Sequence, residues 1–381
     1  MAEATVLQVL PALGPGGVER GAVEIAAALQ EAGFRALVAS EGGPLEYDLA
    51  RCGARHIRLP LATKSPLGLW RNGRTLAALI ESERVDIVHA RSRAPAWSAL
   101  LAARRTGRKF VTTWHGTYTE DFPGKRRYNA VMASGDRVIA ISRFIATHLA
   151  ARAPVDASVI RVIPRGIDPE RFDPGSVNGA RIEAMTRHLA VPDGAPIVLL
   201  PGRVTRWKGQ MVLVDAMARL SRGDAVAVLL GDDQGRERYR AELEARIAAL
   251  GLVGRVFFRP HVNDMPAALL LASVVVSAST DPEAFGRVVI EGQAMGRPVV
   301  ATAHGGAAET VVDGDTGLLV PPGDAAALAG VIDAMLALDP VAAAALGERA
   351  RAHVLAEGYT TEAMCDATLS VYRELLEPDN R

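Results

Sequence analysis

Short runs rich in β-branched residues alternate with amphipathic stretches along most of this chain, and that alternation restricts its fold more than any other feature. The runs TVLQVLP (5–11), ALVAS (36–40), VDIVHA (85–90), KFVTTW (109–114), DRVIAI (136–141) and SVIRVIP (158–164) are largely continuous in apolar character, as expected of parallel strands buried on both faces. Stretches such as 18–32 and 72–83 repeat apolar residues at helical spacing and would cover the two faces of such a sheet. The rhythm stops at 164–178, PRGIDPERFDPGSVN, which holds three prolines and two glycines and no periodicity. It restarts with PIVLLPG (196–202), AVAVLLG (225–231), RVFFRP (255–260), SVVVSA (273–278) and RPVVAT (297–302), between helical stretches at 209–221, 236–250, 263–271 and 286–296. The tail reads as Ala/Leu-rich helix over 324–357 and as one more amphipathic helix over 359–377. The pattern predicts an α/β chain of two doubly wound units, with the ligand site in a cleft between facing strand C-termini.

Length and composition agree with two globular domains. The chain has 381 residues, 49% of them apolar and 23% charged, enough to bury a core and too apolar for disorder. Cys52 and Cys365 lie in no Cys-x-x-Cys or Cys/His pattern, which argues against a disulfide framework or a zinc site. The first residues lack the basic start and long apolar core of a signal peptide, and no run approaches 18 apolar residues, so a cytoplasmic location is expected. Net charge is zero, yet residues 1–190 hold 26 basic and 18 acidic residues while the remainder holds 17 and 25. A basic first half facing phosphates or anionic lipid is one reading of that asymmetry, and solvated surface is the other.

The most specific stretch is 281–323, which carries Glu283-x-Phe285-Gly286-x4-Glu291, then Gly296-x-Pro298-Val299-Val300, then Gly305-Gly306-x2-Glu309. Gly286 ends a loop and VVIEGQAM begins a helix, whose first N–H groups offer a site for a diphosphate. Glu291 would then lie about 7–8 Å along the axis from Gly286, so it and Glu283 reach different parts of one ligand. A glycosidase carboxylate pair is not excluded by spacing alone, but the phosphate-type helix start disfavours it. Arg203 and Lys208 follow the first strand of the second unit, in GRVTRWKGQ, as loop cations. In the first βα turn, Gly14, Gly16 and Gly17 let backbone approach a phosphate or sugar; Glu19 stands where a dinucleotide fingerprint needs its third glycine. His115 follows the strand KFVTTW, and Asp313-Gly314-Asp315 reads as the turn before GLLVPP rather than a metal site. His56, among the remaining histidines, shows no spacing that argues a role.

With GPGGVER (14–20), AIS (140–142), VIPRGIDPERF (162–172) and GRVTRWKG (202–209) in order, the 281–323 pattern resembles the retaining GT-B glycosyltransferases of glycosyltransferase family 4 over nearly the whole chain. The resemblance implies GT-B architecture: an acceptor domain over 1–175, a nucleotide-sugar donor domain over 176–358, and a helix over 359–381 crossing back to the first domain. It implies a hexosyltransferase that moves sugar from a nucleotide diphosphate sugar to an acceptor hydroxyl with retention, by a front-face route in which the leaving phosphate accepts the acceptor proton. Arg203 and Lys208 would bind the donor diphosphate, Glu283 and His115 the sugar near the reacting carbon, and Glu291 the ribose. Gly16, Gly17, Phe285, Gly286, Arg287 and Val288 would complete the donor site, with no metal, no cofactor and no nucleic-acid partner. A glycan or lipid-linked acceptor, as in lipopolysaccharide or glycolipid synthesis, is the implied partner.

An anionic membrane surface is a further expected partner: 64–74, KSPLGLWRNGR, sets Trp70 and Leu67 beside Lys64, Arg71 and Arg74, and RRTGRK (104–109) and KRR (125–127) lie in the same half. Two positions depart from the family pattern: Arg165 stands where Asn is common, and Ala308 replaces a frequent Pro. An epimerase or phosphorylase of the same fold, or a nucleotide-sugar binding subunit without activity, are the alternatives.

Overall fold

The computed structural model describes residues 4–14, 16–118, 120–121 and 123–377. They divide into two compact units, residues 1–164 with 362–381, and residues 165–361. Pro15, within the 14–20 motif, lies outside the described residues.

Unit 1 runs β1 (Thr5–Val9), α1 (Gly17–Glu31), β2 (Arg35–Ser40), α2 (Glu46–Arg51), β3 (Arg55–Arg58), α3 (Pro66–Ser82), β4 (Ile87–Ala90), α4 (Arg93–Thr106), β5 (Lys109–Trp114), α5 (Lys125–Asn129), β6 (Arg137–Ala140), α6 (Arg143–Arg152) and β7 (Ile160–Val162). Its strands form one parallel sheet in the order β3-β2-β1-β4-β5-β6-β7. Unit 2 runs α7 (Gly179–Leu189), β8 (Ile197–Pro201), α8 (Gln210–Met217), β9 (Val226–Leu230), α9 (Glu237–Ala249), β10 (Val256–Arg259), α10 (Met265–Leu271), β11 (Val274–Ser277), α11 (Arg287–Ala294), β12 (Val299–Thr302), β13 (Leu318–Val320), α12 (Ala325–Leu336) and α13 (Pro340–Ala356). Its sheet is also parallel, in the order β10-β9-β8-β11-β12-β13. The last helix, α14 (Thr361–Leu376), packs Met364, Leu369, Tyr372 and Leu375 into the core of unit 1 with α1 and β1.

The expected strands are present because their runs are buried from end to end: every residue of β1, β8, β9, β11 and β12 is buried. The two strands that the apolar pattern does not announce, β3 and β13, are short edge strands, and β3 has exposed ends around two half-buried residues. Asp313-Gly314-Asp315 forms the turn ahead of β13, with Asp313 Oδ1 accepting the Leu319 amide at 2.9 Å and Asp315 Oδ1 paired with Arg349 at 2.8 Å.

Two expectations are corrected. The helix expected over 324–357 is two helices bent by 111°, because Asp339 caps the Ala342 amide and Pro340 opens a new first turn. The division expected at residue 175 falls instead at 164/165, and that expected at 358 falls at 361/362. The segment from 165 is tied to unit 2: Ile167 N–H donates to Tyr359 O at 3.0 Å, Thr361 N–H donates to Ile167 O at 2.8 Å, and Phe172 O accepts Arg351 Nη1 at 2.7 Å. Among the described residues, no single helix is long and apolar enough to cross a membrane.

In each sheet the order reverses once, between β1 and β4 in unit 1 and between β8 and β11 in unit 2. Ligands of open parallel sheets bind beyond the strand C-termini at such a point.

Candidate active site

The switch point of unit 2 gathers most of the residues singled out from the sequence. Beyond β8, residues 202–205 lead into a short 3-10 helix, Arg206–Lys208; beyond β11, residues 278–286 lead into α11. The two connections are bonded to each other, Thr280 N–H donating to Trp207 O at 2.8 Å. Their side chains meet as well: Lys208 Nζ stands 2.6 Å from Glu283 Oε1, with only 15% and 12% of the two side chains exposed. Ser279 Oγ donates to the same carboxylate oxygen at 2.6 Å. Burial opposes ionisation of Glu283, but the charge of Lys208 and hydrogen bonds from Lys208, Ser279 and Ser277 outweigh it and hold the carboxyl below its ordinary range. A fixed ammonium and carboxylate therefore stand side by side in a mostly dry position.

The neighbouring connection after β12 braces this loop. Thr302 Oγ1 and His304 Nε2 both bond Ser279 O, at 3.0 and 2.8 Å, and Gly306 N–H donates to Glu283 O at 2.7 Å. Gly286 is the N-cap of α11 at φ 85°, where a Cβ would come within 2.7 Å of the Ala307 Cβ. Glycine is required there on both counts. No side chain caps α11, so its first turn presents backbone N–H groups at the same end of the sheet.

Arg287, at the first position of α11, pairs with Glu291 one turn on at 3.3 Å, the carboxylate only 13% exposed. A cation in a first helical turn opposes the helix dipole, and the Arg287 Nε is buried with no hydrogen-bond partner among the described residues. Val288 is half-buried beside it. Phe285 is different: its ring is buried edge-on to Tyr359, 5.7 Å between centroids, so its side chain anchors the loop from below. Arg203 is exposed, with no ion pair of its guanidinium among the described residues. Its carbonyl accepts the buried Gln210 side chain at 2.9 Å. Of the two loop cations, Arg203 is thus exposed and Lys208 is paired with Glu283.

In unit 1, Gly16 and Gly17 are exposed at the start of α1, beyond the C-terminus of β1. Gly16 has φ −75°, and an added Cβ there would meet only the flexible end of Glu19. The fold itself makes little demand for glycine at 16. His115 follows β5 in a segment fixed by Trp114, whose Nε1 donates to Gly116 O at 2.7 Å and whose ring lies 4.8 Å from that of Tyr118. The Arg93 guanidinium sits 4.2 Å from the Tyr118 ring. Burial raises the Tyr118 hydroxyl to about 12 despite that cation.

The residues that sequence reasoning missed are the supports: Ser279, Thr302, His304 and Trp207. Only Ser279 left a signal, a hydroxyl two positions beyond the strand Val274–Ser277.

Two parallel α/β units with an anion-oriented helix start and a Lys–Glu pair at a switch point define the class as a GT-B glycosyltransferase fold. The family model described as "Glycosyltransferase Family 4" matches residues 15–171, and that described as "Glycosyl transferases group 1" matches residues 182–353. A glycosyltransferase of Rickettsia africae has a solved structure like this one, with 37% identity, TM-score 0.91 and full coverage of both chains. Anabaena HepE (Alr3699), solved with UDP and glucose, is 25% identical with TM-score 0.85, over 98% of this chain and 100% of that one. The D-inositol 3-phosphate glycosyltransferase of Xylanimonas cellulosilytica is 36% identical over 223 residues, 58% of this chain, and the match spans about half, 52%, of that relative. The chain belongs to glycosyltransferase family 4.

Proposed function

We propose that this protein transfers a hexose, with retention of anomeric configuration, from a nucleotide diphosphate sugar to the hydroxyl of a cell-envelope glycan or lipid-linked acceptor. The observation that carries the reading is the Lys208–Glu283 pair, 2.6 Å apart beside the uncapped start of α11. In this reading Lys208 and Arg203 bind the diphosphate with the α11 amides of Arg287 and Val288, Glu283 contacts the sugar, and Glu291, held by Arg287, accepts the two ribose hydroxyls. Gly16, Gly17 and His115 serve the diphosphate and the sugar from unit 1. As the glycosidic bond breaks, charge grows on the leaving phosphate; fixed cations stabilise that charge more than they stabilise the ground state. The leaving oxygen then takes the acceptor proton on the face from which it departs, which retains configuration without a protein nucleophile.

Supports for a UDP-sugar donor and for a second acceptor class come from the relatives. The Anabaena protein is seen with UDP and glucose, and the Xylanimonas relative is named for inositol 3-phosphate, so a polyol phosphate is the rival acceptor. A lipid-linked acceptor is favoured by one face of unit 1. There Leu67 and Trp70 are 54% and 50% exposed, Arg74 lies 5.0 Å over the Trp70 ring, and Lys64, Arg71, Arg104 and Arg105 are exposed on the same pair of packed helices, α3 and α4, or at their ends. Each cation near an anionic bilayer contributes about 1 kcal/mol, which suits a cytoplasmic enzyme held at the inner membrane face.

Thermal shift against UDP-, GDP- and ADP-sugars tests the donor claim, because a ligand at 100 times its Kd adds about 2.7 kcal/mol of stability. One series should raise the unfolding temperature, and the shift should shrink in Arg203→Ala; no shift with any of them contradicts the reading. Co-sedimentation with anionic and neutral vesicles at low salt tests the surface, where equal recovery sinks the membrane claim.

A further inference from the structure

Ser40, His56 and Glu46 form a hydrogen-bonded chain in unit 1 that the function above does not use. His56 Nε2 lies 2.8 Å from Ser40 Oγ, and His56 Nδ1 lies 3.3 Å from Glu46 Oε2. The order hydroxyl, imidazole, carboxylate is that of a nucleophilic triad, but this hydroxyl is no nucleophile. Ser40 is fully buried at the end of β2, and its Oγ already accepts the Gly42 amide at 3.0 Å.

The chain's other bonds lead to backbone. Glu46 Oε1 accepts the Gly43 amide at 2.8 Å and Arg58 Nη2 at 2.6 Å. The two glycine amides thus fixed belong to the segment that grips the connection after β1. Gly42 O accepts the Leu13 amide at 2.9 Å, Leu13 O accepts the Leu45 amide at 3.2 Å, and Glu41 N–H donates to Pro11 O at 3.0 Å. Gly43, at φ 150°, lies so close that a Cβ would stand 2.5 Å from Leu13 O. Leu13 is fully buried and directly precedes Gly14, two residues before the α1 N-cap Gly16.

We propose that Ser40, His56 and Glu46 are positioning residues for the glycines Gly14, Gly16 and Gly17, holding them, through Gly42 and Gly43, in the place from which they approach a nucleoside diphosphate. The loop's contact with the donor rests on the function proposed above; the bracing does not. The donors and acceptors close with a neutral ring: Ser40, receiving Gly42 N–H, gives its own proton to Nε2, and Nδ1–H goes to Glu46. Burial lowers the proton affinity of His56, with Arg58 adding to that and Glu46 opposing it, and these are the charged groups that face the ring.

His56→Phe removes both ring bonds and keeps a planar ring; Ser40→Ala removes the Gly42 bond and the bond to His56 Nε2 and leaves the Nδ1–Glu46 contact. Hydrogen exchange of the Leu13, Gly14, Gly16 and Gly17 amides should quicken about tenfold or more in both variants, while Val6–Val9 of β1 keep their protection. With UDP-glucose as the probe, KM should rise about tenfold with kcat within about threefold of the parent, the mark of lost ground-state positioning. Unchanged exchange at residues 13–17, or loss of protection spread evenly over β1 and α1, overturns the proposal. Faster exchange in the loop with unaltered KM upholds the bracing and overturns the assignment of Gly16 and Gly17 to the donor.

Discussion

Replacing Lys208 with alanine should unsettle unit 2 as well as catalysis, although the residue sits in a connection between a strand and a helix. Lys208 and Glu283 are 15% and 12% exposed at 2.6 Å, so the variant leaves a carboxylate under the surface with only the neutral hydroxyls of Ser279 and Ser277 as side-chain donors among the described residues. Exposed pairs contribute about 0–1 kcal/mol, and breaking a buried one costs about 3–5. The small exposure places this pair near the buried end, at about 3 kcal/mol. For a unit of about 200 residues that corresponds to roughly 6–12 °C in unfolding temperature. Adding Glu283→Gln removes the stranded charge, and the double variant should return to within about 1 kcal/mol of the parent, a coupling of about 2 kcal/mol plus whatever Glu283→Gln costs alone.

The two readouts then separate. Turnover falls about 10²–10³-fold in Lys208→Ala and stays low in the double variant, because a positioned stabiliser of the leaving group is gone in both. The pH dependence has a definite sign. In the parent, the lowered carboxyl of Glu283 contributes stability that is full above the ordinary carboxylate value and lost as pH falls through its lowered one. Without Lys208, burial dominates, so the penalty of the single variant shrinks as pH falls toward about 4. Urea titration with hydrogen exchange read separately in unit 2 supplies the numbers. An unchanged midpoint in Lys208→Ala, or strict additivity of the two substitutions, refutes the reasoning.

Arg203→Ala should leave the unfolding midpoint within about 0.5 kcal/mol, since the side chain is exposed, yet lower turnover about 10²–10³-fold in a donor-saturated assay. Glu291→Gln should raise the donor KM with little change in kcat, because ribose contacts are equal in ground and transition states; a shift in acceptor KM alone removes the ribose assignment. Acid should weaken unit 1. Burial holds His89 neutral, well below its ordinary value, between the Tyr372 hydroxyl and Thr113 Oγ1, each 2.6 Å away. Only the unfolded chain takes up that proton as pH falls below about 6.5, so this residue lowers stability by about 1.4 kcal/mol per pH unit there. Calorimetry of His89→Gln should show a flatter dependence between pH 6.5 and 5 if this is the cause, a window set at about the ordinary histidine value.

The sequence made the fold legible where burial is two-sided. The largely apolar runs at 5–11, 196–202 and 225–231 became β1, β8 and β9 within a residue or two. The edge strand β3 escaped because half-buried RHIR over 55–58 carries no apolar run, whereas the edge strands β7 and β10 do carry one. The break at Ala337–Asp339 escaped because Ala/Leu richness hides the cap and proline that open α13. At the candidate site, motif spacing located Lys208, Glu283 and Glu291 but not their partners. That Lys208 is bonded to Glu283, or Arg287 to Glu291, depends on how β8 and β11 adjoin and how α11 turns, which residue spacing does not encode. The Ser40–His56–Glu46 chain was equally hidden, since β3, which brings His56 beside Ser40, was itself unannounced.

The anomeric configuration of the first sugar released bears most directly on the central claim of retaining transfer from a nucleotide sugar. Proton NMR of UDP-α-glucose turning over with water as acceptor reads it without knowledge of the natural acceptor. The account predicts that α-glucose appears first, ahead of mutarotation, with release of UDP that is lost in Arg203→Ala. Initial β-glucose, or no release of nucleotide from any UDP-, GDP- or ADP-sugar, would contradict it.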